Sequence, residues 1–311
     1  MSTVEVQVTI LDYPGSMQTA VYGLNEMFQL ADSICREQQV QVEFLTRIVS
    51  LQELVSNKTE SKCRIIIVPP SITGASEQPS DASVLAWLVS QHKAGAILCS
   101  VCAGTFILAE TGLLTERRVT THWSLAKKLA ATYKDLIVQE ERIIINDGDI
   151  ITAGGLMAWL DLGLELVTQF ASLTVMKQLG RYMVVDTAPR EQRYYQSFVP
   201  KLDHGDQSIL SIQHAIQAKY QEPLGVGQLA KNACMTERTF LRHFRQATGF
   251  NPVGYIQRLR VQKACDLLES TKQSFESISV TVGYEDAGSF RKLFIKILGL
   301  TPREFRQRFG C

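Results

Sequence analysis

The sequence has no run of about 18 apolar residues, the shortest stretch that spans a bilayer as a helix, although 45% of its 311 residues are hydrophobic. No membrane span is therefore expected. Met1 to Ile10 hold no basic segment followed by an apolar one. They enter a strand-like alternation at once, so no secretory leader is expected. Cysteines number seven, an odd count at irregular spacing. That argues against a disulfide framework and for a reducing, cytoplasmic setting. The sequence also lacks the G-x-x-x-x-G-K-[ST] phosphate loop and the Gly-rich dinucleotide fingerprint. His92, His204, His214 and His243 show no metal-ligand spacing. Neither a metal nor a cofactor is expected. The glycosylation sequon Asn57-Lys58-Thr59 has no meaning in a cytoplasmic chain. Low-complexity segments are absent.

What is present divides in two. A chain of this length exceeds what one core usually serves, so two domains are expected. The net charge of +1 conceals an asymmetry. Residues 1–205 carry 17 Lys and Arg against 22 Asp and Glu, a net −5, whereas residues 206–311 carry 15 against 9, a net +6. A basic third on an acidic body points to a polyanionic partner for that third. The first part alternates strands and helices: strands at Val4–Leu11, Val40–Leu45, Cys63–Val68, Ala96–Cys99, Ile143–Ile145 and Ile150–Thr152, and helices at Thr19–Glu37 and Asp81–Lys93, with one long helix from about Leu156 to Gly180. Runs such as Ile65–Val68 suit strands buried on both faces of a parallel sheet. The pattern predicts a doubly wound, flavodoxin-like α/β domain over residues 1–187. Residues 188–207, with Pro189, Pro200 and Gly205, read as a linker. An all-helical domain is expected over 208–311.

Within that domain one unit is used twice. Residues 228–252 (QLAKNACMTERTFLRHFRQATGFNP) and 277–302 (SISVTVGYEDAGSFRKLFIKILGLTP) each contain a short helix, a turn and a longer helix ending in Gly-x-x-Pro. This is the helix-turn-helix layout, whose second helix enters the major groove. In the first unit Phe240, Leu241, Phe244 and Ala247 share a face opposite a stripe of Arg238, Arg242 and Arg245. In the second, Phe290, Leu293, Phe294 and Ile297 lie opposite Ser289, Lys292 and Lys296, flanked by Arg291. Arginine suits such a stripe because its planar fork pairs with guanine edges or phosphates.

These segments, with VGYIQRLRVQKACDLL between them, closely resemble the AraC/XylS DNA-binding domain. The resemblance implies two helix-turn-helix subdomains joined by a helix, about Pro252–Glu269, reading adjacent major-groove segments of promoter DNA. Thr236, Arg238, Arg242 and Arg245 fall in one reading unit, and Ser289, Arg291 and Lys292 in the other. One departure is Ser279, where that family usually has alanine.

In the first domain, Leu98-Cys99-Ser100-Val101-Cys102-Ala103-Gly104-Thr105 passes from strand to helix. Cys102 stands where a nucleophile elbow would place it. His122 follows in Thr120-Thr121-His122, and Glu26 lies on the first helix. Cys99 and Cys102 also form a C-x-x-C, so a redox role is a second reading. VCAGTFILAETGLLTERRVTTHW and ITAGGLMAWLDLGLELV resemble the ThiJ/PfpI branch of the class I glutamine amidotransferase-like superfamily. By that resemblance Cys102 is the elbow cysteine, Glu26 the acid near it and His122 the histidine of the Thr-Thr-His motif. Protease-like relatives carry histidine directly after the elbow cysteine; here Ala103 stands instead. The domain order resembles GlxA-like regulators, which implies a small-molecule sensor with catalysis often lost; the α/β domain is also expected to dimerise. Glu26, Cys102, Ala103 and His122 are then candidates for an effector pocket, with Tyr13–Ser16 and Ser71–Gly74 as further lining. The competing expectation is a cysteine amidase or deglycase carrying a DNA-binding tail. Asp161 either ties down the elbow region or faces solvent.

Overall fold

A computed structural model describes residues 3–55, 63–73 and 80–310. Gly74 and Asn57-Lys58-Thr59 lie outside the described residues. The chain resolves into two compact units, Met1–Gln192 and Arg193–Cys311.

The first unit runs β1 (Val4–Asp12), α1 (Gln18–Glu37), β2 (Val42–Ser50), α2 (Leu51–Val55), β3 (Ile65–Val68), α3 (Ala82–Lys93), β4 (Ile97–Val101), α4 (Gly104–Glu110), β5 (Arg118–Val119), α5 (Ala126–Thr132), β6 (Ile137–Val138), β7 (Ile144–Asn146), β8 (Ile150–Ala153), α6 (Trp159–Phe170) and α7 (Leu173–Tyr182). The main sheet has six strands in the order β2-β1-β3-β4-β8-β7. All pairings are parallel except β7 with β8. β5 and β6 form a separate parallel pair.

The period of two along each strand distributes side chains to two cores. Ile65, Ile67, Ile97, Cys99, Val101, Ile151 and Ala153 face α1, α6 and α7. Ile66, Val68, Leu98 and Ile150 face the layer that contains α3 and α4. This is why those strands read as unbroken apolar runs, and helices on both faces make the sheet doubly wound.

The long helix expected from Leu156 to Gly180 is two helices. α6 stops at Phe170, and Ser172 caps α7 by accepting a hydrogen bond from the Val175 backbone N–H. Every residue around the break tolerates helix, so periodicity alone carried the reading across it.

The second unit runs α8 (Gln207–Lys219), α9 (Val226–Asn232), α10 (Glu237–Thr248), α11 (Pro252–Ser270), α12 (Phe275–Thr281), α13 (Ala287–Leu298) and α14 (Pro302–Phe309). The repeated stop has one cause in both places. Gly249 and Gly299 end α10 and α13 in the left-handed conformation, at φ 80° and 77°. Asn251 and Thr301 then cap the next helix, which opens with Pro252 or Pro302. Glycine after the end and proline at the start is the expected asymmetry of helix termini. Two cores result: one gathers α8, α9, α10 and the first half of α11, the other the second half of α11 with α12, α13 and α14. Ser279 fits its core because its hydroxyl donates to the Phe275 carbonyl at 2.7 Å.

The residues read as a linker are shared between the units. Arg190, Glu191 and Gln192 bond into the α/β unit. Phe198, Lys201 and His204 bond or pack onto the helical one.

A charge cluster closes one corner of the first unit. Arg117 forks onto Asp149 at 2.5 and 3.0 Å, and His92 from the last turn of α3 reaches the same carboxylate at 2.7 Å. The Arg117 hydrogen bonds hold the Asp149 pKa down at about 2, below its ordinary 3.8. A depressed acid stabilises the fold above its unfolded pKa and loses that contribution as pH falls through the folded value. Arg117→Ala should therefore cost about 1 kcal/mol at neutral pH. In thermal melts the gap from wild type should shrink between pH 3.8 and about 2; coincident melts at neutral pH would refute the assignment.

Candidate functional site

β4 delivers the chain to Cys102 and α4 carries it away. The turn between them forces Cys102 to φ 55°, the left-handed region that residues other than glycine seldom adopt. That backbone is held by the Cys102 N–H on the Ala153 carbonyl at 2.7 Å and by the Thr121 hydroxyl on the Cys102 carbonyl at 2.7 Å. The cysteine is 4% exposed. Burial pushes its thiol up to about 11, against the pull of the backbone N–H groups of Ala103 and His122. The sulfur is a neutral thiol at physiological pH, which makes it a poor nucleophile.

The other candidates do not complete a catalytic set. Glu26 is solvent-exposed on α1. Among the described residues neither its carboxylate nor the His122 imidazole hydrogen-bonds the thiol. His122 Nδ1 instead accepts from the Ser124 backbone N–H at 3.2 Å and lies 2.7 Å from the Ser124 hydroxyl. Burial lowers the His122 pKa, so the ring is neutral with its proton on Nε2. Ala103 is buried at the start of α4. Cys99 lies fully inside the core, and burial pushes its thiol far up. The C-x-x-C thus holds two protonated thiols. No group of three or more His, Cys, Asp or Glu among the described residues could hold a metal.

The loops expected to line a pocket do meet at the strand ends. Ser16 bridges to Ser71, the Ile72 N–H reaches the Gly15 carbonyl, and the buried Tyr13 hydroxyl donates to the Pro69 carbonyl at 2.6 Å. Tyr13 and Cys102 are electrostatic neighbours.

One residue here was not anticipated. Gln192 is 2% exposed. Its amide N–H groups are shared among the Thr121 carbonyl, the Arg142 carbonyl and the Thr120 hydroxyl at 2.8, 2.8 and 3.1 Å, and its carbonyl accepts the Trp123 N–H at 3.1 Å. It therefore fastens the Thr120–Trp123 loop, which faces the elbow. Asp161 resolves similarly: it forks onto Arg190 at 3.0 and 2.6 Å.

In the helical unit, Thr236 caps α10 by accepting from the Thr239 N–H. Phe240 and Phe244 face the core, while Arg238, Arg242 and Arg245 are exposed and form no ion pair among the described residues. Leu241, read as part of the apolar face, is 39% exposed and lines a shallow groove with Arg242, Arg245, Gln246 and Asn251. The second helix differs. The Ser289 hydroxyl donates to Asp286, the cap of α13. Arg291 pairs with Glu276 at 2.9 Å and lies over the Phe275 ring, so it is engaged within its own unit. Lys292 is exposed.

Sequence profiles match both units: the DJ-1/PfpI family over residues 36–169 and a helix-turn-helix domain over residues 229–308. The chain is 27% identical over 225 residues to the HTH-type transcriptional regulator CdhR of Pseudomonas aeruginosa, covering 72% of this chain and 67% of that one. It is 26% identical over 215 residues to the HTH-type transcriptional regulator GlxA of Rhizobium meliloti, covering 68% of this chain and 65% of that one. The chain combines a DJ-1/PfpI domain with an AraC-type helix-turn-helix domain and is similar to AraC-family transcriptional regulators. The fold of its α/β unit recurs in a putative transcriptional regulator protein from Vibrio parahaemolyticus, with a TM-score of 0.50 and 15% identity over 58% of this chain and all of that one. No helix among the described residues is long and apolar enough to cross a membrane.

Cys102 should be unreactive while the chain is folded. A rise from 9.0 to about 11 lowers the thiolate fraction near neutral pH by about a hundredfold. Iodoacetamide labelling read by peptide mass spectrometry should modify the exposed Cys234 and reach Cys102 only after denaturation. Rapid labelling of Cys102 in the folded chain would reopen the cysteine-enzyme reading.

Proposed function

We propose that this regulator binds double-stranded promoter DNA through its helical unit and responds to a small effector bound at the elbow of its α/β unit, working as a homodimer in the cytoplasm and without catalysis. The observation that carries the DNA-binding part is the stripe of Arg238, Arg242 and Arg245. Three guanidinium groups are exposed on one helix without acidic partners among the described residues, presented by a helix whose opposite face is anchored in a phenylalanine core. Ion pairing to phosphates sets affinity and its salt dependence, and contacts to base edges set specificity.

The effector part is supported by what surrounds Cys102. A neutral thiol with no hydrogen-bonded base among the described residues is a poor nucleophile for amide or glyoxal chemistry, while the left-handed elbow and the polar loop beside it form a defined polar surface at the strand ends. The loop also has a route outward. Thr121 bonds the Cys102 carbonyl through its hydroxyl and Gln192 through its own carbonyl, and Gln192 is the last residue of the α/β unit. An effector that shifted the Thr120–Trp123 loop would act on the residue where the chain leaves for the DNA-binding unit. To act, it must bind one arrangement more tightly than another.

The full-length Arg238→Ala/Arg242→Ala variant should lose tenfold or more in affinity for its selected DNA, at about 1–3 kcal/mol per good base contact. Where both arginines contact phosphates, the slope of log K against log salt should flatten by about 2. An unchanged slope and affinity in titrations at two salt concentrations would remove α10 from the interface. For the effector, a metabolite panel screened by thermal shift should give at least one compound that raises the melting temperature of wild type. Cys102→Trp should abolish that rise. A rise that survives the tryptophan would place the effector elsewhere.

A further inference from the structure

The two cores of the helical unit meet on α11 at one residue. Leu259 belongs to the first core and Val261 to the second. Between them, the Arg260 side chain leaves the helix and gathers three backbone carbonyls. Its Nε donates to Tyr220 at 2.6 Å, one terminal nitrogen to Glu222 at 2.8 Å and the other to Gly283 at 3.1 Å. Tyr220 and Glu222 follow α8 and lead into the first helix-turn-helix unit. Gly283 lies in the turn of the second. Only an arginine has donors fanned widely enough in one plane to reach three such acceptors.

The same junction is closed sterically. Gly283 adopts φ +88°, and a Cβ there would stand 2.2 Å from the Gln221 carbonyl oxygen. Backbone therefore touches backbone across the two subdomains. The guanidinium also lies over the Tyr284 ring, 5.2 Å from its centre, and that ring stacks on Phe290 of α13 at 4.5 Å. A continuous line of contacts runs from the α8–α9 connection through Arg260 to the second reading helix. Besides this line, the two halves share α11 and the Tyr220 side chain, which packs against both cores.

We infer that Arg260 is a specificity-determining residue that touches no DNA: it fixes the spacing and helical phase at which the two reading helices meet the duplex. The inference rests on the DNA-binding reading above. Inserting one base pair between two recognised segments rotates the second by about 34° and moves it by about 3.4 Å. A locked pair of helices rejects that displacement; a loosened pair follows it.

The test uses the full chain and a duplex recovered by wild type from a random-sequence pool. Footprinting locates the two contacted segments, and one base pair is then inserted or deleted between them. Wild type should lose about tenfold or more on either altered duplex, whereas Arg260→Met should bind all three within about threefold, its affinity for the parent being modestly reduced. A methionine variant that keeps the wild-type preference, or weakens equally on all three duplexes, would overturn the inference, as would a footprint covering a single segment. Should circular dichroism show Arg260→Met unfolded, Arg260→Lys decides, since it keeps the charge and stem and loses the three-way fork. A wild-type chain that recovers no duplex overturns the DNA-binding reading and this inference with it.

Discussion

A polar group taken out of water must find all its partners, and Gln192 is the side chain under that constraint beside the elbow. Gln192 brings a primary amide into the interior of the α/β unit. Its donors and acceptor are used on Thr120, Thr121, Arg142 and Trp123. An unmet buried amide costs about 1–3 kcal/mol, so the loop carrying His122 is held in the one shape that satisfies it. That shape aims the His122 backbone N–H at the Cys102 sulfur. Arg260 plays the corresponding part in the helical unit, where three carbonyls from separate segments share one guanidinium. In both places a single polar side chain does what an apolar core cannot. Apolar packing is tolerant of small slips, whereas hydrogen bonds fix direction.

The parts legible in the sequence were those with local causes. Apolar runs revealed the doubly buried strands, because β3 and β4 alternate between two cores and leave no polar face. The repeated Gly-x-x-Pro gave the ends of α10 and α13, because both the left-handed stop and the following cap act within a few residues. The elbow showed itself through Cys102 at the end of a strand. What stayed hidden has distant causes. Gln192 and Thr120 are 72 positions apart, and Arg260 and Tyr220 are 40. The partner of Arg291, Glu276, stands 15 residues away. The division between α6 and α7 had a local signal in Ser172, but a helix-compatible neighbourhood masked it.

The two helix-turn-helix units are alike in backbone and unlike in charge. α10 presents its arginines freely. In α13 the hydroxyl of Ser289 and the guanidinium of Arg291 are already engaged by Asp286 and Glu276. Both of these pairings are exposed, and exposed ion pairs contribute about 0–1 kcal/mol. Phosphate can therefore compete for Arg291, at the cost of breaking an existing contact.

The elbow has one more consequence, which follows from its protonation. Burial raises Cys102 and Tyr13 and lowers His122. Cys102 and Tyr13 therefore stay protonated and uncharged near neutral pH. On the effector reading proposed above, uptake of a molecule at the elbow would not be coupled to titration of either group.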